Sequence, residues 1–140
     1  MENNNNDNNK SFEEKAKELI NDVADDSASF SKEEIEKGKG LSIISYIGAL
    51  ALIPYFVEKE NKYVKYHAKQ GLNLFILEMI ASIAIYFIGR IIGWRLSFIT
   101  SILETVANIC AFALSIIGII NVCNGKAKEL PILNKIKIVK

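Results

Sequence analysis

The sequence predicts an all-α integral membrane helical bundle with three transmembrane helices. Three observations predict it. Half of the 140 residues are hydrophobic. They are concentrated in long runs that are apolar nearly all round, whereas a soluble helix keeps a polar face. Charge is sorted along the chain: residues 1–40 hold 6 Lys against 11 Asp and Glu, and the last 18 residues hold 5 Lys and one Glu. The overall charge of +1 therefore hides an acidic head, an apolar body and a basic tail.

Residues 1–10 form an Asn-rich tail with nothing to bury, and disorder is expected there. They contain no basic-then-apolar targeting pattern. Insertion through the chain's own first apolar segment is expected instead, which favours a prokaryotic plasma membrane and a multi-pass arrangement. Residues 11–38 read as a polar arm with two short helices. Ser11 and Glu14 have the spacing of a capping box, and Phe12, Ala16, Leu19, Ile20 and Val23 recur at helical spacing up to about Ala24. Ser31 and Glu34 repeat the box, with Phe30 and Ile35 placed as a hydrophobic staple, so a second helix is expected near Lys32.

Residues 39–124 read as the membrane domain, with spans at about 41–57, 71–92 and 98–122. The run Leu41–Val57 has no charge and sits at the lower limit of a span, for which ~17–25 residues are needed. Glu58 to Lys69 is expected as a charged connection. Gly71–Ile92 is interrupted only by Glu78 and Arg90. Between Gly89 and Arg95, two glycines, two arginines and Trp94 predict a turn at a membrane interface. Leu96–Val122 carries one charge, Glu104, and Asn124-Gly125 ends it. Residues 125–140 are the basic C-terminal tail. If residues 87–122 made two short spans, the count would be four. With three, the positive-inside rule places the 58–69 connection and the tail in the cytoplasm and the acidic arm outside.

Chemistry is sparse. Glu78 and Glu104 lie inside apolar runs, where an ionisable group costs ~2.5–3.5 kcal/mol on insertion scales and marks a paired or functional site. With Asn108 they form the candidate intramembrane polar site. Gly71, Glu78, Ser82 and Gly89 share one helical face, and Glu104, Asn108, Ala111, Ser115 and Gly118 share another, as helix contacts in lipid favour. His67 has no second His, so no metal site is expected. An interfacial hydrogen-bonding role is expected for it, with Gln70 and Asn73 bonding headgroups or a neighbouring helix. Cys110 and Cys123 read as reduced, apolar-like thiols. Hydrolase, zinc-protease, P-loop and dinucleotide motifs are missing. No catalytic residue and no cofactor is therefore expected. The lysines lack the aromatic or Arg-rich platform of a nucleic-acid binder.

Several stretches resemble a known family: FSKEEIEKGK, LSIISYIGALALIPYF, YVKYHAKQGLNLFI and SIIGIINVCNGKAKELPIL, between about Ser29 and Ile132. The most specific pieces are HAKQGL at His67–Leu72 and GKAKELP at Gly125–Pro131. They resemble the small bacterial membrane proteins of the Tic-twenty-like (DUF-forty-eight-seventy) family. The resemblance implies an all-helical membrane protein whose motif residues are His67, Gln70, Gly71, Gly125, Lys128, Glu129 and Pro131, with no catalytic role attached. The expected function is a non-enzymatic interaction or assembly component. Its partners are the lipid bilayer and another membrane protein or a second copy. The alternative is a small transporter or channel-forming subunit with Glu78 and Glu104 lining a polar path.

Overall fold

The computed structural model describes residues 12–15, 17–18 and 23–140. The disorder expected for residues 1–10 and the cap at Ser11 lie outside the described residues. Residues 12–15 and 17–18 are helical, within the first expected helix, but Val23 and Ala24 are not.

Helix α1 spans Lys32–Ile44. Ser31 caps it as the spacing requires: its hydroxyl accepts from the Glu34 amide at 3.2 Å, and its own amide donates to the Glu34 carboxylate at 3.0 Å. Glu33 and Glu34 in the first turn complement the helix dipole. The helix runs straight through Gly38 and Gly40 and stops at Ser45, whose hydroxyl and amide both turn back to the Leu41 carbonyl.

Here the first expected span departs from the sequence reading. Leu41–Val57 is not one helix but the end of α1, a reversal at 45–47, a 3-10 turn at Gly48–Ala51 and the short helix α2, Leu52–Val57. Gly48, at φ 49°, adopts a left-handed conformation that glycine tolerates without strain. Pro54 lies in the first turn of α2, where its missing N–H leaves no helical bond unmade.

Helix α3 spans Lys62–Ile92, so the charged connection shrinks to residues 58–61 and three of its expected lysines become helical. Asn61 starts α3 by accepting from the Val64 amide at 3.2 Å, while its Nδ2 donates to the Glu34 carbonyl at 2.8 Å. That second bond ties the start of α3 to the start of α1, so α1, the reversal and α2 form a hairpin that leaves and returns at the same end. α3 ends at Gly93, φ 80°, and a 3-10 turn at Trp94–Leu96 leads into α4, Ser97–Cys123. Gly89 stays inside α3 and faces Thr100 across the α3/α4 pair.

Asn124 and Gly125 close α4 in a Schellman arrangement, with the Lys126 amide on the Asn121 carbonyl at 2.8 Å and the Gly125 amide on Val122 at 2.9 Å. The tail then folds back instead of leaving the body. Ala127, Leu130 and Leu133 join Tyr46, Tyr63, Leu74, Leu114 and Val122 in the core. Burying Leu130 and Leu133 contributes roughly 3–6 kcal/mol at ~1.5–3 kcal/mol each. Residues 24–26 pair with the tail's outer side through Asp26 N to the Ala127 carbonyl and Glu129 N to the Ala24 carbonyl. The core thus occupies one end of the molecule, and the far halves of α3 and α4 extend beyond it as a bare helical pair.

Candidate functional site

Two close approaches set the geometry of the buried end. A Cβ on Gly71 would stand 1.6 Å from the Ser45 carbonyl oxygen, and one on Gly118 would stand 2.4 Å from the Tyr46 ring. Only glycine at both positions lets the reversal at 45–47 wedge between α3 and α4. The wedge delivers the Tyr46 hydroxyl to His67 Nδ1 at 2.8 Å and to Gln70 Oε1 at 3.3 Å.

His67 is fully buried, with the rings of Tyr46, Tyr63 and Tyr66 packed edge-on around it. Its Nε2 makes no hydrogen bond among the described residues. The hydrogen-bonding role expected of His67 at an interface falls here on a buried partner, Tyr46, because α3 begins early and this face of its first turns is covered by the reversal and the tail. The side chain acts as an internal bracket.

Gln70 and Asn73 explain the tail. Gln70 donates from Nε2 to the Lys128 carbonyl at 3.1 Å and accepts at Oε1 from the Leu130 amide at 3.1 Å. Asn73 accepts at Oδ1 from the amides of Ile138 and Val139 and donates to the Val139 carbonyl at 3.1 Å. Each carboxamide presents a donor and an acceptor like a peptide group, so each holds a stretch of tail backbone as a neighbouring strand would. Among the described residues no group of three His, Cys, Asp or Glu converges as a metal-ligand set.

The HAKQGL and GKAKELP motifs, far apart in sequence, therefore meet in space. Gly125 makes the turn at φ 65°, and Lys128 lends its carbonyl to Gln70. Glu129 pairs with Lys137, and Pro131 opens the turn at 131–135. On the outer side Lys128 Nζ lies 3.7 Å from Asp25. Hydrogen bonds from the Ser27 hydroxyl and amide, aided by Lys128 and Lys126, hold the Asp25 carboxyl below its usual range.

The residues expected to form an intramembrane polar site lie elsewhere. Glu78 is half-buried on α3, while Glu104 and Asn108 are exposed on α4. Glu104 lines a groove with Ser82, Arg90 and Thr100 that does not include Glu78 or Asn108. Tyr46 and the tail backbone were not singled out by sequence reasoning. The one available signal was the pair of carboxamides three residues apart on an otherwise apolar stretch.

Helices α3 and α4 are both long and apolar enough to cross a membrane. The most apolar stretch of α3 has no buried residue, and that of α4 has few. Core helices of a soluble protein would be covered there; instead Phe98 and Phe112 stand 74% and 68% exposed. The fold is that of an all-α membrane protein. The chain belongs to the magnetosome magnetite crystal formation protein family, MamF_MmsF, whose pattern it matches over residues 38–139.

It is 29% identical over 93 residues to the magnetosome protein MamF of Magnetospirillum gryphiswaldense, covering 66% of this chain and 75% of that one. It is 24% identical over 96 residues to the magnetosome protein MmsF of Paramagnetospirillum magneticum, covering 67% and 79%. A UPF0132 membrane protein of Methanocaldococcus jannaschii is 35% identical over 82 residues, 59% of this chain and 66% of the relative. No solved structure matches. These findings correct the expected Tic-twenty-like (DUF-forty-eight-seventy) resemblance. Both motifs on which it rested lie inside the matched range, and the matched family is the magnetosome one. Two short motifs at the edges of apolar helices do not separate families that share that composition.

Proposed function

We propose that this protein is a non-enzymatic assembly component of a prokaryotic membrane, working through lateral contact with a second copy or another membrane protein. One observation carries the reading. Glu104 and Asn108 lie four residues apart, on one face of α4, and both are exposed where the surrounding surface is apolar. Polar side chains facing lipid are costly, and a partner helix relieves that cost. The names of two relatives link them to magnetosomes, whereas the archaeal relative is named only as a membrane protein. A role in building a membrane fits all three, and control of magnetite crystals is its specialised form.

The same reading sets the topology at two crossings, not the three expected from hydropathy. The Asp25–Lys128 and Asn61–Glu34 contacts favour one side for the arm, the 58–61 connection and the tail. At ~1.5 Å per residue α3 is ~46 Å long, against a hydrocarbon thickness of ~30 Å, so its first turns stand outside. The hairpin of α1 and α2 then rests at the membrane face with Ile53 and Phe56 toward lipid. Every lysine lies before Gly71 or after Asn124, on the arm, α1, the connection, the first turns of α3 and the tail, which favours the cytoplasm, most simply at the plasma membrane.

Counting labelled copies per lipid nanodisc tests the assembly role. Wild type is expected to associate, Asn108→Leu to weaken association and Glu104→Gln to preserve it. Wild-type protein that stays single at all densities counts against the reading. A transporting role keeps one supporting observation, the groove of about 430 Å³ containing Arg90 and Glu104. Ion flux through proteoliposomes that Glu104→Gln abolishes is the result that would favour it.

A further inference from the structure

The first turns of α3 carry Lys62, Lys65 and Lys69 at helical spacing, on the side where the tail crosses. Between them and the tail lies a cavity of about 410 Å³. The three lysines line it together with Leu130, Leu133 and Val139, and the one side-chain carboxylate in the lining, Glu129, is paired with Lys137. Among the described residues, no carboxylate lies within ion-pair distance of these three lysines. Lys137, also in the lining, is already paired with Glu129. Tyr66 lines the cavity too, and its buried hydroxyl has no hydrogen-bond partner among the described residues. The adjacent Gln70 carboxamide is engaged by the tail and Tyr46.

A concentrated positive charge, a spare hydroxyl donor and apolar side chains together define a ligand that is anionic at one end and apolar at the other. Asn73, two residues beyond Gly71 where the apolar stretch of α3 begins, also lines the cavity. That is the depth of lipid phosphates if α3 crosses the bilayer. We propose that this cavity binds a phosphate group, with Lys62, Lys65 and Lys69 supplying charge and Tyr66 a hydrogen bond. Lysine serves here as a point charge for phosphate, as it does in other phosphate sites. A phosphate monoester from solution and an anionic lipid headgroup share this chemistry; the apolar side chains favour the lipid.

The test is native mass spectrometry of the full chain released from vesicles of phosphatidylcholine mixed with phosphatidylglycerol. Wild type is expected to retain phosphatidylglycerol selectively. Lys65→Gln combined with Lys69→Gln is expected to lower retention by about tenfold, since each lysine near an anionic surface contributes measurably to binding. The paired Lys65→Arg and Lys69→Arg variant keeps the charge and is expected to restore it. Lys59→Gln, on the connection and outside the lining, is expected to change nothing. Thermal unfolding of each variant separates lost binding from lost fold.

Glycerol 3-phosphate added in excess distinguishes the sources. If it binds without lipid and displaces the lipid completely, the phosphate comes from solution; if the lipid stays, the headgroup is the ligand. Equal retention of both lipids by wild type, or unchanged retention in the Gln pair, overturns the proposal. A single-copy protein that retains the lipid would remove the assembly reading and leave this one standing.

Discussion

The carbonyl oxygen of Ser45 sits directly over Gly71, so close that a Cβ there would stand 1.6 Å away. Backbone cannot yield as a flexible side chain can. Gly71→Ala is therefore expected to expel the reversal at 45–47 and destabilise the protein by about 3 kcal/mol. Gly40→Ala is the matched control, because nothing lies within 4 Å of its added Cβ and the site is an exposed helix interior. It is expected to stabilise by roughly 0.5–1 kcal/mol. Unfolding of both variants in detergent, followed by circular dichroism, checks the pair; equal stability of Gly71→Ala and wild type would mean the close approach does not exist.

Gln70→Leu keeps the bulk of the side chain but strands the Lys128 carbonyl and the Leu130 amide. Leaving buried groups unpaired costs ~1–3 kcal/mol each. The tail is expected to loosen first, because Asn73 is then the one α3 carboxamide still bonded to its backbone. Limited trypsin digestion should cut after Lys128 and Lys135 faster than in wild type, while α3 and α4 remain intact. Unchanged cutting would show that the tail is held by its leucines alone.

The Asp25 carboxyl is held below its ordinary value of 3.8, chiefly by hydrogen bonds from Ser27. A depressed folded-state pKa means the contact is fully present above the unfolded value and is lost as pH falls through the folded one. The pairing of residues 24–26 with the tail is thus expected to hold at neutral pH and to weaken only below about 3.8. Amide NMR shifts of Asp26 and Ala127 followed through acid titration read this directly. In Asp25→Asn the acid-dependent step should vanish.

Cys110 and Cys123 are both exposed on the protein itself. In a bilayer they should separate, because 13 residues of helix place them ~20 Å apart along α4. A water-soluble maleimide is expected to modify Cys123 and spare Cys110 in vesicles, and to modify both once the bilayer is removed by detergent. In cells, with both native cysteines replaced by Ala, Ser29→Cys and Asn134→Cys should behave alike, whereas Ser97→Cys should report the opposite side. Opposite labelling of Ser29→Cys and Asn134→Cys would restore three crossings.

The parts of the fold that were legible in sequence are those written in local spacing. The capping box at Ser31 and Glu34, the turn around Gly93 and the helix stop at Asn124-Gly125 all appear where residue chemistry places them. The reversal at 45–47 was not legible. Its residues form an uncharged run like a span, and what breaks the run is the space offered by Gly71 and Gly118, far along the chain. The same holds for the tail. Its lysines read as a basic tail, while the burial of Leu130 and Leu133 goes with the hold of Gln70 and Asn73 on the tail backbone. His67 looked interfacial because nothing in the sequence says that Tyr46 will reach it.

The tail's docking also imposes an order on biosynthesis. Gln70 and its partner at Leu130 are 60 residues apart. When α3 emerges from the ribosome, the groups that will satisfy its two carboxamides have not yet been made. They arrive only after α4 has been made and the chain has come back to the end of α3 at which that helix began. The buried end closes only after α4 is in place, so a chain with a misplaced α4 leaves Gln70 and Asn73 without their backbone partners.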